Sequence, residues 1–214
     1  MKRQITDIQV QKKHPSRRSI FLDGKFYCGV SEEVVVKFQL KRGMEIDEDR
    51  LEELLYEEEF SKAKGYVYRI LARRMYTCKE IRDKLVERGY VDKIVEDVIA
   101  TLERYGYLND KTYAEEWIQS RMRSKPKGKV ALRQELARRG IEKSIIENAL
   151  DEAFNESREA DMALDLARRK VRSYRDADPA ASKRKLQGFL LRRGFSFEIV
   201  RDVVEKVIDE EQVY

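Results

Sequence analysis

The sequence has little of what metal sites, disulfide frameworks and flexible linkers are made from. Its 214 residues include one histidine, two cysteines, three prolines and ten glycines. These are too few His and Cys side chains for a zinc site, and His14 has no plausible nucleophile and orienting partner for covalent catalysis. Because Cys28 and Cys78 lie far apart in the chain, we expect reduced thiols in a cytoplasmic setting.

Motifs for nucleotide cofactors and for membrane insertion are also missing. The chain contains neither G-x-x-x-x-G-K-[ST] nor G-x-G-x-x-G, the loops that cradle phosphates. No apolar run approaches the ~18 residues that span a bilayer, and the first residues lack the apolar part of a signal peptide. We therefore predict no catalytic residues, no metal or other cofactor, no small-molecule substrate and no membrane contact. A hydrolase that uses helix carboxylates and a divalent metal is the enzymatic alternative, but no spacing of acids favours it.

Charge is abundant and segregated along the chain. The sequence has 45 Lys and Arg and 40 Asp and Glu, a net charge of +5, yet residues 1–65 hold 13 of each sign. Residues 117–140 contain eight bases and one acid, whereas residues 142–161 contain seven acids and two bases. A second basic stretch, residues 168–194, has ten bases and two acids. The positive surplus therefore belongs to residues 66–214, which favours an anionic partner there.

The first 46 residues predict a small α+β module. Asp23 and Gly24 separate two apolar runs and can supply the positive φ angles of a type I′ hairpin turn. Ser31, followed by two glutamates, predicts a helix start, and Gly43 predicts the end of that helix. The apolar residues expected to face inward here are Val34, Val35, Phe38 and Leu40.

Three copies of one helical pattern follow. KLVERGY at residues 84–90, ELARRGI at 135–141 and FLLRRGF at 189–195 each lead into an apolar stripe at helical spacing. In each copy a helix ends at Arg-Gly, where glycine can take the left-handed conformation, and a further helix precedes the motif. The predicted helix starts are Thr77 with Glu80 as a capping box, Asn109 or Asp110, and Asp178.

These patterns predict a mainly all-α fold: tandem three-helix repeats in an elongated curved array, with a small N-terminal α+β module that contains a β-hairpin. The predicted divisions are residues 1–46 for the module, 47–65 for a connecting helix, and 66–110, 111–156 and 157–214 for the repeats. An array of this kind presents one long face, which can follow a long partner.

The strongest candidate binding site is the basic stretch in which one predicted helix ends and the next begins. Cations at a helix start do not suit the helix dipole, but together with free backbone N–H groups they suit a phosphate. The alternative is a solvated charged loop. The residues predicted here to bind nucleic acid are Arg121, Arg123, Lys125, Lys127, Lys129 and Arg133.

A second candidate set lies at a predicted helix end and comprises Arg168, Arg169, Lys170 and Arg172. Cations suit the dipole at that end, so a structural role is equally well supported. A structural role is also the preferred interpretation of two further groups. These are Arg88, Arg139 and Arg193 as helix caps, and Tyr105, Tyr107, Tyr113 and Trp117 as packing residues.

The run GYLNDKTYAEEW at residues 106–117, followed by the basic loop and by ELARRGI, resembles the RecX family of recombination regulators. That family carries G-Y-L-[DN]-D-x-x-Y-A, a basic loop and then E-L-x-x-[KR]-G-I. Asn109 stands where aspartate is more usual, and either residue can cap a helix. The resemblance spans residues 66–210, about two-thirds of the chain.

The resemblance implies a non-enzymatic protein of tandem three-helix repeats that binds the RecA recombinase, in the groove of the RecA–DNA filament, and also binds single- and double-stranded DNA. It further implies inhibition of the recombinase, ATPase and co-protease activities of RecA, and so modulation of homologous recombination, DNA repair and the SOS response. On the residues alone, a helical nucleic-acid-binding module without a RecA partner is the alternative.

Overall fold

The computed structural model describes residues 2–154, 157–174 and 178–212, and the chain divides into two compact units between Leu108 and Asn109. The first unit begins with β1 (Lys2–Val10), β2 (Arg17–Leu22), β3 (Lys25–Ser31), α1 (Glu32–Lys37) and β4 (Glu45–Asp47). It continues with α2 (Glu48–Leu71), α3 (Cys78–Glu87) and α4 (Asp92–Arg104).

All regular secondary structure in the described residues of the second unit is helical. It contains α5 (Asp110–Ser124), α6 (Lys129–Arg138), α7 (Lys143–Ala153), α8 (Arg158–Val171), a 3₁₀ turn (Arg172–Tyr174), α9 (Pro179–Arg192) and α10 (Phe197–Gln212). The boundary predicted at residue 156 lies outside the described residues. Among the helices that are described, none is long and apolar enough to cross a membrane.

The strands form an antiparallel sheet in the order β3-β2-β1-β4. The predicted hairpin is confirmed: Asp23 and Gly24 join β2 to β3 at φ +48° and +80°, the left-handed values of a type I′ turn. Ser31 caps α1 by accepting a hydrogen bond from the backbone N–H of Val34. The sheet and α1 share one apolar core, in which Val34 is fully buried.

Helix α1 ends earlier than predicted, and the predicted end at Gly43 is wrong. The helix stops at Lys37 because Gln39, at φ +50°, takes the left-handed position after it. The next N–H, that of Leu40, donates to the Val35 carbonyl and so closes a Schellman motif with Leu40 buried. Gly43 instead turns the chain into β4, a strand that the sequence pattern does not predict and that pairs with β1.

A single continuous helix, α2, covers both the predicted connecting helix (residues 47–65) and the predicted first helix of the first repeat. No proline interrupts the run, and its apolar residues serve two cores in succession. Leu51 and Leu55 pack in the sheet core, whereas Ala63 and Val67 pack in the core of the three-helix repeat. The sheet and the first repeat are therefore joined by one rigid element.

A buried ion pair fastens the sheet to α2. Arg17 Nη1 on β2 lies 2.7 Å from Glu59 Oε2, and the two side chains are 5% and 3% exposed. Glu59 also accepts the backbone N–H of Ser31, and the Arg17 guanidinium donates to the Gly29 carbonyl and lies over the Tyr90 ring. These added hydrogen bonds offset the cost of removing two charges from water.

The three Arg-Gly motifs end their helices in the same way, which confirms the tandem three-helix fold. Gly89, Gly140 and Gly194 have φ of +80°, +79° and +81°. The amide after each glycine donates to the carbonyl of the leucine five residues before it. The capping box at Thr77 and the caps at Asn109 and Asp178 are also confirmed.

Candidate functional site

The six residues of the first predicted set lie together in the second unit. Arg121 and Arg123 are on the last turns of α5, Lys125 and Lys127 are in the loop, and Lys129 and Arg133 are on α6. Helix α5 stops because Lys125 precedes Pro126, and the residue before a proline is forced from the helical region into an extended one, here φ −143° and ψ 78°. We call residues 121–139 the basic segment.

The start of α6 is not open to an outside anion, which corrects one argument for this site. The backbone N–H of Lys129 donates to Glu159 Oε1 at 2.8 Å, and that of Val130 donates to the Gly194 carbonyl at 3.1 Å. Glu159 of α8 is itself buried. The carboxylate of Glu159 thus occupies the position at the helix N-terminus where the sequence predicts a bound phosphate.

Acids of α6 and α7 neutralise much of the basic segment. Arg121 Nε lies 3.2 Å from Glu135 Oε2, and Lys127 Nζ contacts the other oxygen of the same carboxylate. Two further pairs come from α7, the helix of the acidic stretch. They are Lys129 with Asp151 at 3.2 Å and Arg133 with Glu147, bidentate at 2.6 and 2.7 Å.

Two cations of the basic segment's predicted set keep their charge exposed. Arg123 and Lys125 are solvent-accessible and have no acidic partner among the described residues. Arg138, outside the predicted set, is exposed in the same way. The positive surface therefore consists of fewer side chains than the sequence suggests.

The second predicted set lies on a different three-helix repeat of the same unit. Arg168 forms a bidentate pair with Glu210 at 3.0 and 2.7 Å, and Arg169 donates to the carbonyl of Asp165 one turn earlier. Lys170 lies over the Tyr174 ring, and Arg172 is exposed in the 3₁₀ turn. Within the described residues, no hydrogen bond joins this set to the first one.

A small pocket adjoins the basic segment around Trp117, which is half-buried and packs against the core of the second repeat, as predicted. The guanidinium carbons of Arg121 and Arg139 lie 4.1 and 4.0 Å from its ring centroid. Trp117 Nε1 donates to Glu135 Oε2 at 2.9 Å. The pocket has a volume of about 290 Å³, and its lining residues are Trp117, Arg121, Glu135, Arg138 and Arg139. We call it the Trp117 pocket.

Glu135 is the centre of this arrangement. Its side chain is 13% exposed and accepts hydrogen bonds from Trp117, Arg121 and Lys127. Burial acts to raise the pKa of Glu135, but the hydrogen bonds from Lys127, Trp117 and Arg121, with the charge of Lys127, lower it below its ordinary value. The carboxylate therefore stays ionised and fixes the cations around it.

The arginines before the three glycines occupy the C-cap positions, as predicted, and their side chains also stack on aromatic rings. Arg88 lies 3.8 Å from the centroid of Tyr66, and Arg193 lies 5.2 Å from that of Phe189. The sequence does carry a signal for the Trp117 pocket, because Trp117 and Arg121 are four residues apart on one helix face. No local pattern brings Arg139 to the same ring.

The packing prediction for the tyrosines holds only in part. Tyr113 is buried in the core of the second repeat, as predicted. Tyr105 is 64% exposed, so packing is the wrong interpretation for it. Tyr107 is 58% exposed, but its ring packs edge-on against that of Tyr68 on α2, with 5.1 Å between the centroids. Tyr105 and Tyr107 flank Gly106, which at φ +75° turns the chain so that Leu108 takes the buried position instead.

Fold and site define a class: a small antiparallel sheet followed by tandem three-helix domains, one of which carries a basic, aromatic-lined surface. Family models match the chain in order, as the regulatory protein RecX N-terminal domain over residues 3–47 and the first, second and third RecX three-helix domains over 63–102, 109–150 and 157–204. The chain belongs to the RecX family of regulatory proteins.

Relatives and solved structures agree with this assignment. The chain is 31% identical to a regulatory protein RecX of Leuconostoc mesenteroides over 97% of this chain and 77% of the relative. It is 33% identical to that of Bacillus cytotoxicus over 96% and 77%. A crystal structure of a regulatory protein RecX superposes with a TM-score of 0.67 at 29% identity, covering 95% and 99% of the two chains. The RecX structure from Lactobacillus salivarius, at 23% identity and a TM-score of 0.65 over 70% and 97%, shares the fold.

Proposed function

We propose that this chain binds the RecA recombinase and RecA–DNA filaments, in the filament groove, and inhibits their recombinase, ATPase and co-protease activities. It would thereby modulate homologous recombination, DNA repair and the SOS response. The observation that carries the proposal is the match to all four RecX domains, in order, from residue 3 to residue 204. The protein acts by binding rather than by catalysis, and it does so in the cytoplasm, where its two cysteines stay as thiols.

The exposed cations of the second unit support contact with single- and double-stranded DNA as part of this function. Arg123 and Lys125 point into solvent at the end of α5 without an acidic partner in the described chain. Side chains of this kind neutralise phosphates and release counterions, a sequence-independent source of affinity. Of the predicted residues in the basic segment, these two are the ones that we expect to matter most.

Charge reversal of Arg123 and Lys125 tests that contact. We expect R123E/K125E to weaken binding to RecA–single-strand DNA filaments by about tenfold or more near 0.1 M salt, because two phosphate contacts become repulsive. The measurement is co-sedimentation with preformed filaments. The matched control is K143E/K206E, which changes the net charge equally at two exposed lysines of the same unit. Equal binding by both variants would contradict the assignment of this site.

The alternative function is a nucleic-acid-binding module without a RecA partner, and the same exposed cations favour it. This alternative requires affinity for bare DNA to equal affinity for the filament. We expect tighter binding to the filament, because it offers protein surface as well as phosphates. Equal affinities, measured at one salt concentration, would favour the alternative.

A further inference from the structure

The Trp117 pocket has a composition that the ion pairs of the basic segment do not explain. It is concave, it includes an aromatic ring, and three of its five lining residues are arginines. With Lys127 bound to Glu135, four cations surround a single carboxylate. Guanidinium groups gathered in this way bind oxyanions through paired N–H donors.

We propose that the Trp117 pocket binds a phosphodiester group of a nucleic-acid backbone, with Arg121, Arg138 and Arg139 as donors and Trp117 as the surface that holds two guanidinium groups in place. This inference rests on the proposed function for the presence of DNA at the second unit. It extends that function to Trp117, which the sequence assigns to packing, to Arg139, which the sequence assigns to a helix cap, and to Arg138, which has no role in the sequence prediction.

Trp117 is arranged to hold cations rather than to stack on a base. Arg121 and Arg139 lie 4.1 and 4.0 Å from the ring centroid, the distance at which a planar group stacks. They occupy the ring surface that a base would need. The indole N–H is already used by Glu135. The pocket therefore contacts the backbone and carries no preference for base sequence.

A chain of phosphates fits this surface better than a single carboxylate of a protein partner does. Trp117, Arg121 and Lys125 follow one another at four-residue spacing, along one face of α5 and its C-cap. Exposed Lys125 thus continues the line of positive charge beyond the pocket, and Arg123 adds to it. A polyanion can engage the pocket and these cations at once, whereas an isolated acidic side chain can satisfy only one of them.

Glu135 is a positioning residue in this site. Its carboxylate accepts hydrogen bonds from Trp117, Arg121 and Lys127, and exposed Arg138 lines the same pocket. Because three donors share one acceptor, the cations are arranged before the ligand arrives.

Binding at the pocket can be followed by the fluorescence of Trp117, because Trp117 is the single tryptophan of the chain. The full chain is titrated with an oligothymidylate, with an abasic phosphodiester oligomer of equal length, and with an acidic peptide of equal charge. We expect both phosphodiesters to change the Trp117 emission, with dissociation constants within about threefold of each other, and the peptide to leave it unchanged. A response that needs bases, an equal response to the peptide, or no response to the phosphodiesters would overturn the proposal.

Arg138→Gln is the decisive variant, because Arg138 is exposed and its loss leaves the Trp117 packing intact. We expect affinity for the abasic oligomer to fall about fivefold or more near 0.1 M salt, and the log–log salt slope to lose about one unit. The control is Arg88→Gln, the arginine stacked on Tyr66 in the first unit, which should change affinity by less than about twofold. Equal effects of the two variants, or none from Arg138→Gln, would overturn the assignment.

The two proposals fail separately. If the wild-type chain leaves RecA unaffected but Trp117 responds to phosphodiesters as expected, the proposed function is wrong and the phosphodiester site is supported. If the chain inhibits RecA but Arg138→Gln binds phosphodiesters like the wild type, the proposed phosphodiester site is wrong and the proposed function is supported.

Discussion

At the scale of single residues, three glutamates join parts of the chain that are distant in sequence. Glu59 pairs with a strand arginine, Glu135 gathers donors from α5 and the loop, and Glu159 closes the start of α6. Each contact depends on which elements pack together, so no local sequence pattern predicts it. The sequence therefore identifies the cations of the candidate site but not the acids that neutralise them.

The lowered pKa of Glu135 predicts a pH-dependent contribution to stability. An ordinary glutamate titrates near pH ~4.3, and the folded state holds this carboxylate ionised below that value. The stabilisation is therefore fully present above pH ~4.3 and is lost as the pH falls through the folded-state pKa. We expect the wild type to be more stable than Glu135→Gln near neutral pH, and the difference to shrink as the solution is acidified.

Urea unfolding followed by Trp117 fluorescence at several pH values measures this difference. Glu116→Gln, an exposed glutamate on α5, is the matched control and should show almost no pH-dependent difference from the wild type. A difference for Glu135→Gln that stays constant through the acid range would contradict the role given to its carboxylate.

At the scale of helices, Gly128 and Gly194 bring the second and third three-helix repeats into backbone contact. The N–H of Gly128 donates to the Arg193 carbonyl, and Arg193 Nη1 donates to the Pro126 carbonyl. A Cβ on Gly194 would overlap the backbone and Cβ of Ala131, and one on Gly128 would overlap the Gly194 carbonyl. Glycine is thus needed at position 194 for two reasons: the positive φ and the close approach of the Ala131 backbone.

A comparison of two glycine variants separates these roles. Gly194→Ala and Gly106→Ala both place alanine at positive φ, +81° and +75°, which costs about 1 kcal/mol in each case. Only Gly194 has neighbours, because a Cβ on Gly106 meets no atom within 4 Å. We expect Gly194→Ala to lower the free energy of unfolding by about 1–3 kcal/mol more than Gly106→Ala, measured by urea unfolding. Equal losses would show that the close contact contributes nothing.

The elements that the sequence predicts well are those whose limits are set by local chemistry. The type I′ turn at Asp23, the capping box at Thr77 and the left-handed glycines need only their immediate neighbours. Strand β4 and the early end of α1 depend on β1 and on the burial of Leu40, which are tertiary events. Helix α2 is continuous because its two halves meet different cores.

At the scale of the whole molecule, the basic and acidic stretches that alternate along the chain lie close together in the fold and partly neutralise each other. The acidic stretch at residues 142–161 supplies Glu147, Asp151 and Glu159 to the basic segment. What remains exposed is a smaller set of cations near the end of α5 and the Trp117 pocket. The sequence indicates that the positive surplus belongs to the second unit. Which cations stay exposed depends on their ion pairs with distant acids, and those pairs can be identified only in the folded structure.

The central claim, that this RecX-family chain regulates RecA filaments, is tested most directly by the ATPase activity of RecA on single-stranded DNA. The chain is added in increasing amounts, from well below one molecule per RecA to equimolar, with R123E/K125E in a parallel series. We predict loss of ATPase activity at substoichiometric amounts of the wild type, because one bound regulator affects a filament of many subunits, and a weaker effect of the variant. ATPase activity that is unchanged at equimolar wild-type protein would contradict the account.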